Sequence, residues 1–342
     1  MTGTTAMSAA ARTEVARLRG SGNGSGGASA AELAEALEQL ATAATEEGDL
    51  GTAAAALEEA AGVWSRIPEP AREGFCLLLA ATVQRLRGDL GAARHNLERA
   101  AASDLPEAVR RAFEAERAEQ SLADGAHEAA YEGFGGVLSV LDAEVDGPVR
   151  ARILQRRAAA AVAGERWPEA AADLMDAREL FAAHGEAEEA EAAALGAALA
   201  VARVDPSTAE EVWSAVTASA PRDGAAAAAR SITGGRIALL AGDPRLALRR
   251  FDTARQGALD ATDPISYLAA VAEAVAVAET LGEHVGAYGR LATAWVTVGD
   301  LLGAESGRQL VRPLLEELRE RLGAERFSAA RAAYEARARA GS

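Results

Sequence analysis

The sequence predicts an all-α solenoid of about seven helical hairpins, on three observations. The composition favours helix, a turn recurs every 37–40 residues, and an apolar stripe follows each turn at a fixed distance. About a quarter of the 342 residues are alanine, the best helix former, and only 4% are aromatic. Few β-branched or aromatic runs favour strands. Hydrophobic residues make up 49% of the chain, ample for burial. A chain this long, read as globular, would suggest two domains. A repeat array escapes that rule because it grows by adding units rather than by enlarging one core.

The turn is clearest as Gly48-Asp49-Leu50-Gly51-Thr52-Ala53 and Gly88-Asp89-Leu90-Gly91-Ala92-Ala93. Gly242-Asp243 and Gly282-Glu283 open two more copies, and weaker ones lie near Asp124-Gly125, Gly164-Glu165 and Val204-Asp205. The closing alanines are Ala53, Ala93, Ala130, Ala170, Ala209, Ala247 and Ala287, spaced by 40, 37, 40, 39, 38 and 40 residues. Glycine ends the first helix of each hairpin, and the aspartate caps the second. Pro168 and Pro244 sit where a first helical turn tolerates proline. A further turn is expected near Gly299.

Four residues after each closing alanine stands a large apolar residue: Leu57, Leu97, Phe134, Leu174, Trp213, Phe251 and Leu291. Three residues further stands Ala60, Ala100, Val137, Ala177, Val216, Ala254 or Ala294. Offsets of four and seven lie on one helical face, so every second helix is expected to pack through a small–large–small stripe.

This pattern resembles the tetratricopeptide repeat (TPR) family. The match is best in the sixth repeat, with Gly235, Gly242-Asp243, Ala247, Phe251 and Ala254. The chain departs from the family in its longer period, against the usual ~34 residues, and in the alanines at the family's first-helix aromatic positions. The longer helices, and the segment Leu318 to Phe327, also resemble the helical arms of large bacterial ATP-dependent LuxR-type regulators. The nucleotide-binding loop and the DNA-binding helix of those regulators are absent from this sequence.

Residues 1–28 read as a flexible tail, because Gly20 to Gly27 is a glycine–serine linker by composition, although Ala9 to Leu18 has the length for one short helix. Residues 29–298 read as the repeats. Residues 299–342 read as a capping helix pair, broken near Pro313 and Gly323, with a stripe of Leu310, Leu314, Leu318 and Leu322, and with Phe327 and Tyr334 on one side of the last helix.

Composition excludes several roles. With 35 basic and 51 acidic residues the formal charge is −16. That balance opposes nonspecific nucleic-acid binding and docking on anionic membrane. All the basic residues are arginine. The guanidinium suits bidentate carboxylate contacts, but a GC-rich coding bias, which also raises alanine and glycine, accounts for the preference. Cys76 is the only cysteine, so neither an intramolecular disulfide nor a thiolate cluster is available. It lies in an apolar helical stretch and reads as a core residue. No run of ~18 apolar residues marks a membrane span, and the first nineteen residues lack the apolar centre of a secretory signal, so a cytoplasmic location is expected.

No catalytic, cofactor or metal site is expected. His95, His127, His184 and His284 have no metal-ligand spacing, and Tyr131 stands where His127-Glu128 would need a second histidine. The glycines at 133–136 and 234–235 lie inside helical periodicity with no lysine, which points to close helix packing rather than a phosphate loop.

The resemblance implies a concave groove lined by first helices. Its ligand-facing positions carry over to Thr82, Arg85, Glu119, Arg152, Gln155 and Arg236. Equivalent positions at the ends are acidic (Glu35, Glu38, Glu279), while Arg150, Arg152, Arg156 and Arg157 cluster on one first helix. The expected partner is a protein or peptide, acidic or carrying an acidic helix, held by charge-assisted hydrogen bonds. The function so implied is that of an interaction scaffold or adaptor. The alternative is a sensor module, which would show an enclosed apolar cavity lined from several repeats.

Overall fold

The structure, a computed structural model, describes residues 4–21, 27–67, 69–103, 105–142 and 145–340. Among these residues the regular elements are seventeen helices and no strand. They divide into two compact units, Met1–Arg166 and Trp167–Ser342. The boundary between the units falls at the turn after the fourth first helix, within the expected repeat segment 29–298.

The first unit holds α1 (Thr4–Ser21), α2 (Gly27–Glu46), α3 (Leu50–Trp64), α4 (Pro70–Leu86), α5 (Leu90–Ala101), α6 (Glu107–Ala123), α7 (His127–Ser139) and α8 (Gly147–Ala163). The second holds α9 (Trp167–Ala183), α10 (Ala187–Ala202), α11 (Pro206–Thr217), α12 (Gly224–Leu240), α13 (Pro244–Asp260), α14 (Pro264–Thr280), α15 (His284–Leu302), α16 (Ala304–Leu322) and α17 (Ala324–Ala340). Even-numbered helices from α2 to α14 are the first helices of the repeats. Odd-numbered helices from α3 to α15 are the second.

The hairpin turns follow from hydrogen bonding. After α2, Gly48 takes φ +78° and its N–H donates to Thr45 O at 3.0 Å, while Asp49 N–H donates to Ala44 O at 2.8 Å. This pair of bonds satisfies the last carbonyls of the helix, and glycine adopts the left-handed conformation without steric cost. The same pair recurs at Gly88–Asp89, Gly125–Ala126, Gly242–Asp243 and Gly282–Glu283. Asp49, Asp89 and Asp243 then cap the next helix by accepting from Thr52, Ala92 and Leu246 N–H. At the expected Gly164 turn the left-handed residue is Glu165, with φ +57°. Asp205 holds its turn differently, binding the N–H and hydroxyl groups of both Ser207 and Thr208. The side-chain bonds to Ser207 and Thr208 pull its carboxyl down to about 2.

The stripe is borne out. All seven closing alanines are fully buried, as are Phe134, Phe251 and Leu291. Leu174, Trp213 and Val216 are only half-buried. The internal glycines of α12 explain two of the large residues. A Cβ on Gly235 would stand 2.5 Å from the Phe251 ring, and one on Gly234 would stand 2.6 Å from the Trp213 ring. These glycines admit aromatic rings, as close packing requires.

Gly299 makes no turn but lies inside α15, where its backbone leaves only 2.5 Å for a Cβ on Gly307 of α16; the turn is at Gly303, φ +91°. Pro313 does not break α16. Proline removes one N–H, but Pro313 is exposed to water and the helix is held on both sides by fully buried Val311 and Leu318. Val311 also replaces Leu310 in the apolar stripe, Leu310 being exposed. Within the expected tail, α1 is a full helix whose Val15 and Leu18 join the core of α2 to α5. The linker glycines Gly22 to Gly26 lie outside the described residues.

At the other end, α17 packs on α15 through an aromatic cluster. Tyr288 meets Phe327 and Tyr334 edge-on, at centroid distances of 5.4 and 5.7 Å. Cys76 is fully buried in α4, with its Sγ 3.5 Å from Glu38 Oε1. Burial and the neighbouring Glu38 carboxylate push its thiol pKa well up. Thiolate is the reactive form, so in a disulfide-exchange assay the native thiol should react at least ~100-fold more slowly than in the urea-unfolded chain. Comparable rates would show that α4 is not packed as described.

Candidate partner-binding face

The candidate residues lie on first helices of both units. In the first unit, Thr82 and Arg85 lie on α4, Glu119 on α6, and Arg152 and Gln155 on α8. Thr82 is half-buried and its hydroxyl donates to Leu78 O at 3.2 Å. Arg85 is drawn into a fork with Glu116, at 2.6 and 3.1 Å, and lies 3.8 Å from Glu119. Glu119 in turn accepts both arms of Arg156. The Glu116 bonds raise the pKa of Arg85, and the Glu119 bonds raise that of Arg156. Arg85 and Glu119 thus form one network across α4, α6 and α8. Arg152 is exposed on α8 and Gln155 is half-buried.

The expected arginine cluster on α8 divides its labour. Arg150 donates to Leu138 O at 2.8 Å and Leu141 O at 3.2 Å, Arg156 holds Glu119, and Arg157 lies 5.2 Å from the centre of the Tyr131 ring. Their positive charge is therefore partly spent inside the unit. The acidic position Glu38 is similarly engaged. It accepts from Trp64 Nε1 at 2.7 Å and lies 3.5 Å from Arg72, whose other arm holds Glu35 at 2.9 Å.

In the second unit the same arrangement recurs. Arg236 on α12, the sixth candidate, pairs with Glu273 on α14 at 2.7 Å. Arg230 on α12 is buried and forks onto Glu191 on α10 at 2.8 and 3.0 Å, with its third nitrogen on Ser219 O at 2.7 Å. Glu279 on α14 holds Arg321 on α16 at 2.8 Å. Consecutive first helices in each unit are therefore stapled by Arg–carboxylate pairs, most of them 37–42 residues apart in sequence.

These staples reflect an alternation of charge that sequence reading missed. α2 carries Glu32, Glu35, Glu38 and Glu46 and no arginine, whereas α4 carries Arg72 and Arg85 against Glu73. α6 is mixed, with one more glutamate than arginine, and α8 carries four arginines and no acid. α10 carries Glu188, Glu189 and Glu191, α12 only Arg230 and Arg236, and α14 only Glu273 and Glu279. The signal is present in the sequence at the repeat period.

A cavity of about 510 Å³ lies in the second unit between α9, α10, α11 and the start of α12. Met175, Ala190, Ala194, Val212 and Val216 line it, and Arg178 stands among the lining residues. The cause is the length of α11. It has 12 residues against 17 in α9 and α13, and it gives way to an irregular stretch around Pro221. Among the described residues no group of three His, Cys, Asp or Glu side chains is placed to hold a metal ion. No helix among them is long and apolar enough to cross a membrane.

Comparison of the fold with solved structures returns helical-repeat proteins. A tetratricopeptide repeat protein from Parabacteroides merdae aligns over 82% of this chain and 97% of its own, with a TM-score of 0.55 at 15% identity. Its fold is that of the TPR-like helical repeats. Two further TPR-like neighbours agree. RapI in its apo form covers 84% of this chain and 87% of its own, with a TM-score of 0.57 at 10% identity. The apo quorum sensor NprR from B. thuringiensis covers 86% and 84%, with a TM-score of 0.52 at 14% identity. None of these three is a LuxR-type arm. The sequence matches no family model and no curated protein.

Proposed function

We propose that this chain is a scaffold or adaptor that holds a peptide or helical segment of another protein on its first-helix face. The reading places the contact around Thr82, Arg85, Glu119, Arg152 and Gln155 in the first unit, and around Arg236 in the second. The observation that carries it is α8, which brings four arginines and no acidic residue into an otherwise acidic chain. With Arg152 exposed there, an acidic segment is the partner that gains charge-assisted hydrogen bonds. The reading involves no catalysis and no cofactor. It places the protein in the cytoplasm, and it treats α16 and α17 as the cap that ends the stack.

Reversing Arg236 would set a carboxylate against Glu273, and reversing Arg94 would break its 2.9 Å pair with Asp124. Arg152→Glu, exposed on α8, is the test variant, and Arg249→Glu, exposed on α13, the control. A partner captured from the native cell extract and identified by mass spectrometry should bind Arg152→Glu about tenfold more weakly, a change of ~1.4 kcal/mol. Its affinity for the unaltered chain should fall with added salt, because exposed charges are screened beyond ~8 Å at physiological ionic strength. Equal binding by Arg152→Glu, with loss in Arg249→Glu, would move the contact to the second helices.

A second reading has its own observation. A cavity lined mostly by apolar residues from three successive repeats, open to solvent rather than enclosed, is the nearest feature to the one expected of a sensor, and the neighbour NprR is described as a quorum sensor.

A further inference from the structure

We propose that the cavity between α9, α10 and α11 is a binding site for a small carboxylic acid with an unbranched apolar body, of medium chain length. The proposal rests on the sensor reading and gives its ligand a chemistry.

Size comes first. At about 510 Å³ the cavity falls within the ~300–1,000 Å³ range of small-molecule sites. It is too small for a folded segment of a partner, and its sides are made by side chains of four helices. The lining is mostly alanine, valine and methionine. Small side chains at Ala190 and Ala194 leave room beside the backbone, and Met175 adapts its shape to a flexible occupant. Such a surface favours an apolar body.

Charge comes next. Three charged groups line the space: Arg178, Glu191 and Arg230. Glu191 and Arg230 neutralise each other in their fork, and the third arm of Arg230 is held by Ser219 O. Arg178 is exposed on α9 and makes no hydrogen bond or ion pair among the described residues. The cavity therefore offers one uncompensated guanidinium beside apolar walls. The complementary ligand carries one carboxylate and no positive charge.

The site is also separable from the first-helix face. Arg178, Met175, Val212 and Val216 all lie on second helices, whereas the proposed partner contacts lie on first helices. The two sites can fail independently.

Calorimetric titration of the full chain with hexanoate, octanoate and decanoate, all kept below micelle formation, tests the proposal. Affinity should rise by about fourfold per added methylene until the cavity is filled. Octan-1-ol and octylamine should each bind at least tenfold more weakly than octanoate. Arg178→Ala should weaken octanoate at least tenfold while leaving octanol unchanged. Ala215→Phe and Ala182→Phe start from exposed lining positions and fill the space from α11 and α9. Both should abolish binding with the thermal unfolding midpoint unchanged. Arg152→Glu should leave octanoate binding intact, which separates this site from the partner face. No saturable binding of any of the acids at millimolar concentration would overturn the proposal. So would octanol binding as tightly as octanoate, or full octanoate affinity in Arg178→Ala.

Discussion

Phe251→Ala is expected to destabilise the second unit by about 3–5 kcal/mol, the usual cost of emptying a buried aromatic site. The side chain is fully buried on α13 and faces Gly235, whose missing Cβ makes space for the ring. Removing the ring leaves a void that α12 cannot fill, because the glycine has nothing to relax into it. Urea melts followed by far-ultraviolet dichroism measure the loss. Trp213, at the equivalent place one repeat earlier, should cost less on truncation, about 2 kcal/mol. It is half-buried, donates to Arg230 O at 2.8 Å and lies under the Arg250 guanidinium at 4.1 Å from its centre. A loss below ~1 kcal/mol for Phe251→Ala would mean that the repeat register is wrong.

Glu191→Ala should be as damaging, again about 3–5 kcal/mol, for an electrostatic reason. Arg230 is 7% exposed and both arms of its fork rest on Glu191. Removing the carboxylate leaves a largely buried guanidinium with Ser219 O as its remaining partner. Replacing both partners, Glu191→Leu with Arg230→Met, removes the charge instead of isolating it. That double variant should lose far less than the sum of the single losses. Additive losses in the double-mutant cycle would show that the two groups do not interact in solution.

The parts of the fold that were legible in the sequence are those governed by burial along one dimension. Each closing alanine is fully buried because a second helix can approach a first helix only where its side chain is small. A period of 37–40 residues makes that requirement visible seven times. Glycine is harder to read. Gly88 and Gly299 look alike in sequence, yet one takes a left-handed turn and the other lets α16 approach α15. Which applies depends on a neighbour found only in three dimensions. The docking of α1 was obscured by the linker after it, although Val15 and Leu18 are spaced for one helical face. The charge pairing at the candidate positions was not legible. Arg85 and Arg236 were read singly, and their partners lie a whole repeat away. The cavity was invisible because it comes from five residues missing at the end of α11.

Alternating charge on successive first helices gives the array a parity. Within each unit hairpins are not interchangeable bricks, since successive first helices carry opposite net charge. Excising α4 and α5 would bring the glutamates of α2 against Glu116 and Glu119 of α6, with Arg72 and Arg85 gone. Excising α4 to α7 would bring the same glutamates against the arginines of α8 and keep the alternation. A chain built this way gains or loses repeats most easily in twos, so its natural unit of lengthening is a pair of hairpins, twice the unit that the alanine pattern displays.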